Sequence, residues 1–427
     1  MVTALVVAVL FCLLGIGMPV GFAMAVSGCA GLYLVGGASA LIGILQTSSI
    51  STVSSYELIT IPMFLLLAEF VLVSGVAEDL FLAAAAWVGR VPGGLGMATA
   101  LAGAGFGAIC GSSAASAATL SSTSLPAMLK QGYEPKMAAG VVAISGTLAM
   151  LLPTSVALVL YGILADVSIG KLLISGILPA LLITLTIMLT IYILVWLEPA
   201  RAPIVPVVPL DVRLRMLRVV GPMLFLFSGV TGVIYTGIAT PTEASAVGAF
   251  GAFLIAATRG SLNRKNFGPV FWRAARSSCM ISMILLGAHI FGYYFTLAQV
   301  PQSLVAWVGG LAVSRWVIIG ILLCGYIVLG SFMDQIAILV LTVPIVVPLV
   351  VSLGFDPIWF GVVKIVTAEI GMVTPPVGLN CYIVARYAER PVTEVFLGIW
   401  PHFVAHLIAL GLLLAFPAIS LWLPSRM

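Results

Sequence analysis

A single shift of 222 positions maps the glycine and proline pattern of the first half of this 427-residue chain onto the second. Gly15, Ile16 and Pro19 recur as Gly237, Ile238 and Pro241. Pro126, Gly132 and Pro135 recur as Pro348, Gly354 and Pro357. Met150 and Pro153 return as Met372 and Pro375, and Gly176 and Pro179 as Gly398 and Pro401. Glycine and proline set backbone geometry, so two halves that share little else share their backbone breaks. Chance matches would not keep one register from end to end. In an apolar chain this pattern points to a secondary transporter, in which repeats place interrupted helices around a midplane site.

The chain is apolar enough for that reading. Hydrophobic residues make up 62% and charged residues 7%, with a mean hydropathy of +1.24. A soluble domain carries roughly 25% charged residues, so the fold class is an all-α polytopic membrane protein. The net charge of +4 says little about partners, because orientation depends on where Lys and Arg lie. Six cysteines sit inside apolar stretches without metal-ligand spacing and read as small core or membrane-facing residues. The first apolar run lacks a basic leader and reads as a retained span.

Runs of about 20 apolar residues place spans at 3–15, 19–37, 58–75, 136–165 and 172–197, and again at 219–236, 240–258, 278–297, 357–387 and 395–423. Segments 41–56 and 78–90 are too polar or too short and are expected near the interface. Two apolar stretches, 95–129 and 315–352, have a polar or glycine-rich middle. Their halves, about 15 residues each, fall short of a crossing, so each is expected to be a re-entrant hairpin. The alternative is two short true spans. The chain then divides into a first repeat at 1–200, a basic connector at 201–218 and a second repeat at 219–427. An odd number of spans inverts the second repeat relative to the first.

The basic residues support the odd count. With the connector in the cytoplasm, Arg90, Lys130, Lys136, Arg201, Arg213, Arg215, Arg218, Arg259, Arg264, Lys265, Arg273, Arg276, Arg386 and Arg390 all lie inside. Lys171, Arg315 and Arg426 lie outside, and Lys364 falls within a span. That asymmetry fits a bacterial inner-membrane protein with both termini periplasmic. It says nothing of hairpin depth.

Chemistry concentrates at four places, paired by the repeat. The hairpin tips are Gly111-Ser112-Ser113-Ala114-Ala115-Ser116 and Gly330-Ser331-Phe332-Met333-Asp334. A helix broken there exposes backbone carbonyls, N–H groups and hydroxyls. Such oxygens suit a hard cation, and helix N-termini suit a carboxylate. Small-residue helix packing would select similar residues, so the serine run alone reads either way; its pairing with Pro153 favours a site. The interrupted spans carry Met150-Leu151-Leu152-Pro153-Thr154-Ser155 and Met372-Val373-Thr374-Pro375-Pro376-Val377-Gly378, with Asn380 two residues on. Proline removes a helical hydrogen bond. Carbonyls freed at bilayer depth are tolerated only in protein or along a cavity.

Ile61-Pro62-Met63-Phe64, the stretch 107–116, Ala239-Thr240-Pro241-Thr242-Glu243-Ala244-Ser245, the stretch 330–334 and Thr374-Pro375-Pro376-Val377-Gly378-Leu379-Asn380 resemble the large, DctM-type membrane subunit of tripartite ATP-independent periplasmic (TRAP) transporters. The likeness covers nearly the whole chain; the Pro-Thr-Glu-Ala and Thr-Pro-Pro-Val-Gly segments are its more specific parts. The resemblance implies sodium-coupled uptake of an organic acid, such as a C4-dicarboxylate, sialic acid or another sugar acid. It implies an elevator, in which a transport domain with both hairpins slides past a scaffold. It implies a small Q-type membrane subunit and a periplasmic P-type substrate-binding protein as partners, beside the lipid bilayer, and no nucleic acid. The chain reads as an unfused large subunit. The family places sodium between each tip and the facing break. Carried over, site one is Gly111, Ser112 and Ser113 with Pro153, Thr154 and Ser155. Site two is Gly330, Ser331 and Asp334 with Thr374, Pro375, Gly378 and Asn380. Ser116, Pro376 and Glu243 are candidates for substrate contact. The more apolar Leu151-Leu152-Pro153 departs from Val373-Thr374-Pro375 and leaves site one less defined.

Other ionisable residues in or near spans are Glu69, His289, Lys364 and Glu369, each a functional candidate by position. Glu243 follows Pro241-Thr242 and could equally cap a helix. Lys364 and Glu369 are five apart, poorly placed to pair along a helix. His402 and His406 have metal-ligand spacing but no adjacent Glu. No transition metal, organic cofactor or catalytic residue is expected. A membrane-embedded enzyme would need a nucleophile and base, a pore would favour a repeated filter, and a stand-alone ion-coupled carboxylate symporter would share this architecture.

Overall fold

The computed structural model describes residues 2–203, 208–311 and 313–427, and among them every regular element is helical. The first half comprises α1 (Val2–Gly15), α2 (Val20–Val53), α3 (Thr60–Ser74), α4 (Val76–Val88), α5 (Gly94–Cys110), α6 (Ser113–Lys130), α7 (Pro135–Thr147), α8 (Val156–Ala165), α9 (Ile169–Ser175) and α10 (Ile177–Leu197). The second comprises α11 (Leu210–Tyr235), α12 (Pro241–Thr258), α13 (Phe267–Leu297), α14 (Val300–Gly309), α15 (Arg315–Phe332), α16 (Gln335–Ser352), α17 (Pro357–Met372), α18 (Leu379–Ala388), α19 (Val392–Ala415) and α20 (Ala418–Leu421). Helices are what lipid demands, because every backbone polar group must find its partner within the segment. The 222-position spacing reappears in three dimensions. α6 and α16 begin at Ser113 and Gln335, and α7 and α17 at Pro135 and Pro357.

Among the described residues, eight segments are long and apolar enough to cross a membrane: Val20–Val53, Tyr56–Ser74, Ile169–Leu197, Leu210–Tyr235, Phe267–Leu297, Arg315–Phe332, Gln335–Ser352 and Val392–Ala415. Several boundaries differ from the sequence reading. Most of segment 41–56 belongs to a helical stretch that follows Gly37, whose backbone at φ 71° and ψ −174° is non-helical, and that ends at Val53. Segment 78–90 largely coincides with α4. α13 starts at Phe267 rather than 278. α11 starts at Leu210, so Arg213, Arg215 and Arg218 are helical and the connector 201–218 is shorter than expected; residues 204–207 lie outside the described residues. Charged residues extend a helix past the apolar run that hydropathy detects, because Arg is a good helix former.

The hairpin limbs are also longer than expected. α5 has 17 residues and α6, α15 and α16 have 18 each, or about 27 Å for 18 residues. Limb length therefore does not decide whether a hairpin crosses; the position of its tip does.

The buried side chains form two cores. A small one joins α1, α2 and α13 through Val6, Leu10, Met24, Leu32, Phe291 and Tyr294, and it touches α16 at Val340. A larger one holds the hairpins, the interrupted helices, α10 and α19 together with α3 and parts of α11 and α12. Much of the outer surface is apolar, with Phe225 81% and Trp272 71% exposed, as a lipid-facing surface requires.

In the small core, glycines set the distance between α2 and α13. A Cβ on Gly21 would lie 2.8 Å from the Met283 carbonyl oxygen, and one on Gly28 would lie 2.9 Å from Phe291 Cα. Gly287 faces the Gly21 backbone directly. Small residues bring helix backbones close where no hydrophobic drive separates helix from lipid. Glu69 and Arg273 tie α3 to α13 with an N···O distance of 2.7 Å. Arg259 pairs with Asp79 and donates to the Val219 carbonyl at 3.0 Å, linking the end of α12 to α4 and α11.

Replacing Gly287 with Leu should force α2 and α13 apart and destabilise the fold by about 1–3 kcal/mol. The control is Gly292→Ala, since Gly292 has open space around it. Thermal unfolding of the detergent-solubilised variants checks this; a Gly287→Leu protein as stable as Gly292→Ala would remove the role assigned to the glycine seam.

Candidate functional site

Each hairpin tip docks onto the break of the interrupted helix in its own half. In the first half, α5 ends at Cys110 and Gly111 turns the chain with a φ of 62°. A Cβ there would overlap the Thr154 carbonyl oxygen, so only glycine admits this approach. Thr154 Oγ1 donates to the Ala108 carbonyl at 2.9 Å, which clamps the break to the last turn of α5. Ser155 caps α8, its hydroxyl accepting from the Leu158 N–H at 3.2 Å. Ser112 caps α6 by accepting from the Ala115 N–H at 3.5 Å. Gly111, Ser113, Pro153, Thr154 and Ser155 are all buried, and Ser112 is half-buried.

The second half repeats this with different atoms. A Cβ on Gly330 would lie 2.7 Å from the Ala368 carbonyl and 2.8 Å from Gly371 Cα, so α15 lies against the last turns of α17. The Ser331 carbonyl accepts from the N–H groups of Val377 at 3.2 Å and Gly378 at 3.3 Å. Gly378 holds a φ of 56° at the start of α18, and the Pro375–Pro376 bond is cis. Asp334 caps α16, accepting from the Ile336 N–H at 3.0 Å. The Thr374 hydroxyl donates to the Ile370 carbonyl at 2.6 Å. Unlike the first break, this one opens outward: Pro375, Pro376 and Val377 are exposed.

Gly111 meets the interruption between α7 and α8, and Ser331 meets the matching point between α17 and α18.

The two pairs also touch. The Ser113 hydroxyl lies 3.9 Å from Met372 Sδ, joining the first tip to the second break. A cavity of about 140 Å³ lies where the tips converge, lined by Gly111–Ala114 and Met150 on one side and Asp334 and Ile336 on the other. Ser277, Met280 and Ile281 of α13 close it. The sequence reading missed these α13 residues. They belong to an unbroken apolar helix and carry no local signal. A separate cavity of about 630 Å³, lined by Thr52, Glu57, Asp166, Thr240 and His289 among others, lies away from the tips; there Thr52 Oγ1 is 2.7 Å from His289 Nδ1.

The remaining candidates sort by environment. Glu243 is held in a capping box at the start of α12, its carboxylate accepting from the Thr240 N–H at 2.8 Å and the Thr240 hydroxyl at 2.9 Å. It is exposed and lines none of the cavities described. The structure thus favours the cap over substrate contact. Ser116 and Asn380 are fully buried without a hydrogen-bond partner among the described residues. An unpaired buried polar group costs about 1–3 kcal/mol, so Asn380, beside the second break, favours a bound ion or water there. Lys364 lies with its Nζ 5.1 Å from the Tyr326 ring centroid. It forms no ion pair with Glu369, as their spacing suggested, and both are fully buried. His402 and His406 are buried on α19 without hydrogen-bond partners among the described residues.

Sequence comparison agrees with this geometry. Residues 7–419 match the sequence model of the family described as "Tripartite ATP-independent periplasmic transporter, DctM component". The chain is 35% identical over 375 residues to the C4-dicarboxylate TRAP transporter large permease protein DctM of Pseudomonas aeruginosa, covering 88% of this chain and 87% of that one. It is 33% identical over 390 residues to the DctM protein of Rhodobacter capsulatus, covering 87% and 88%. Its fold is similar to that of the YdaH transporter of Alcanivorax borkumensis, with a TM-score of 0.63 at 16% identity, over 88% of this chain and 89% of that one. The relatives are permease subunits, which removes the membrane-embedded enzyme from consideration. The chain belongs to the DctM family, the large permease component of TRAP transporters.

Proposed function

We propose that the chain is the sodium-coupled permease subunit for an organic acid, working as an elevator in the bacterial inner membrane. The observation that carries this reading is the docking of each tip on the break of its own half, with a cavity between the first tip and Asp334 of the second. Sodium prefers neutral and anionic oxygen ligands, which tip and break backbones, hydroxyls and a carboxylate supply. Site one would draw on Gly111, Ser112, Ser113, Pro153, Thr154 and Ser155. Site two would draw on Gly330, Ser331, Asp334, Thr374, Pro375, Gly378 and Asn380. Ser116 and Pro376 remain candidates for substrate contact. The C4-dicarboxylates carried in the names of both relatives make that class the first cargo to test. The α1–α2–α13 body would be part of the scaffold and the larger core would contain the moving part. The halves would be inverted, with the connector cytoplasmic and both termini periplasmic. A Q-type membrane subunit would complete the scaffold, and a P-type periplasmic protein would deliver the acid.

The test is uptake of labelled succinate, malate or N-acetylneuraminate in proteoliposomes holding all three components. Uptake should need both partners and be sigmoidal in sodium, because two sites must fill. Substantial uptake by the isolated chain, or equal uptake driven by a proton gradient in sodium-free buffer, would overturn the reading. Asp334→Asn should raise the half-saturating sodium concentration about tenfold, the scale of a lost charge-assisted contact.

A second variant isolates site one. Gly111→Val places a branched side chain against Thr154 in a left-handed conformation, at roughly 1–2 kcal/mol for the backbone alone. Uptake should be lost while the complex still assembles, whereas Gly105→Ala, with ordinary 3.5 Å contact to Leu80, should transport normally. Normal sodium dependence in a folded Gly111→Val protein would argue against the first site.

A further inference from the structure

The converging tips offer the cargo hydroxyls, backbone groups and a carboxylate, but no cationic side chain. Across the seam one is available. A largely apolar cavity of about 670 Å³ adjoins the tips, lined by residues 19–22 at the start of α2, by Arg276, Ser277, Met280 and their apolar neighbours on α13, and by Asp334 at the second tip with Ile336 and Ala337 of α16; Arg276 is exposed there. It shares Ser277, Met280, Asp334 and Ile336 with the smaller cavity at the first tip. Among the described residues, the two cavities that meet at the tips are lined by one basic side chain, Arg276.

Arg276 is also uncommitted. Arg273, one turn earlier on α13, is paired with Glu69, and Arg259 with Asp79. Among the described residues Arg276 has no ion pair and no side-chain hydrogen bond. Its helix is fixed by the glycine seam against α2, so the guanidinium is presented from a rigid element. A guanidinium offers parallel N–H donors that match a carboxylate bidentately.

We infer that Arg276 binds a carboxylate of the cargo from the scaffold side of the cavity while the tips hold the rest. The inference rests on the organic-acid reading. The same oxyanion chemistry would serve a lipid phosphate, and the experiment separates the two sources.

Complete complexes carrying Arg276→Gln or Arg276→Lys are reconstituted in vesicles of phosphatidylcholine and phosphatidylethanolamine, with and without phosphatidylglycerol. Uptake is measured with the acid that the wild type carries best among succinate, malate and N-acetylneuraminate. Arg276→Gln should raise KM for the acid roughly 10- to 100-fold, with kcat and the half-saturating sodium concentration nearly unchanged. Arg276→Lys should recover part of the loss. The effect should be the same in both lipid mixtures. An unchanged KM would reduce Arg276 to an orientation charge, and an effect seen only with phosphatidylglycerol would assign it to lipid; either overturns the inference. A wild-type complex that carries none of the three acids under a sodium gradient defeats the organic-acid reading itself.

Discussion

A helix interrupted inside a bilayer needs something to cover its open ends, and in this protein each interruption is covered by another. Every backbone polar group left unpaired in hydrocarbon costs several kcal/mol. The tip at Gly111 and the break at Thr154 resolve this together, as do Ser331 and Gly378. In the second half the Ser331 carbonyl receives the N–H groups of Val377 and Gly378, and in the first the Ala108 carbonyl receives the Thr154 hydroxyl. The hairpins, the interrupted helices and the close glycines all follow from that requirement. Oxygens left over once the two ends have satisfied each other are what remains for a ligand.

The body opposite the tips is built on the contrary principle. α2 and α13 are long, and they are brought together through glycines along the seam, with one polar contact between Thr52 and His289. They form a core of their own with α1. That core reaches α16 at Val340, and Arg276 of α13 and Asp334 at the second tip line one cavity beside it.

How much of this could be read from residues alone depended on whether the signal was local. Pro153 and Pro375 marked the breaks, and Gly111 and Ser331 marked the tips, because backbone geometry leaves its trace at the residue that adopts it. The hairpins and the breaks came from spacing, the facing of tip and break from the family resemblance, and the structure brings each tip against the break of its half. Limb lengths failed because hydropathy reports where lipid begins and not where a helix ends; the same error misplaced the starts of α11 and α13. Residues 41–53 looked polar, yet they are helical, in a stretch set off from the start of α2 by the non-helical Gly37. Ser277, Met280 and Arg276 could not be found as site residues, because an unbroken helix gives no hint of which face it turns to a neighbour 50 or more positions away. Glu243 could be read as a ligand or a cap, and only the coordinates showed its oxygen already engaged.

The two breaks differ in one respect that the repeat does not foretell. Pro153, Thr154 and Ser155 are sealed, whereas Pro375, Pro376 and Val377 meet the surroundings. One pattern of glycine and proline therefore yields one break closed within the protein and one whose residues remain accessible from outside it.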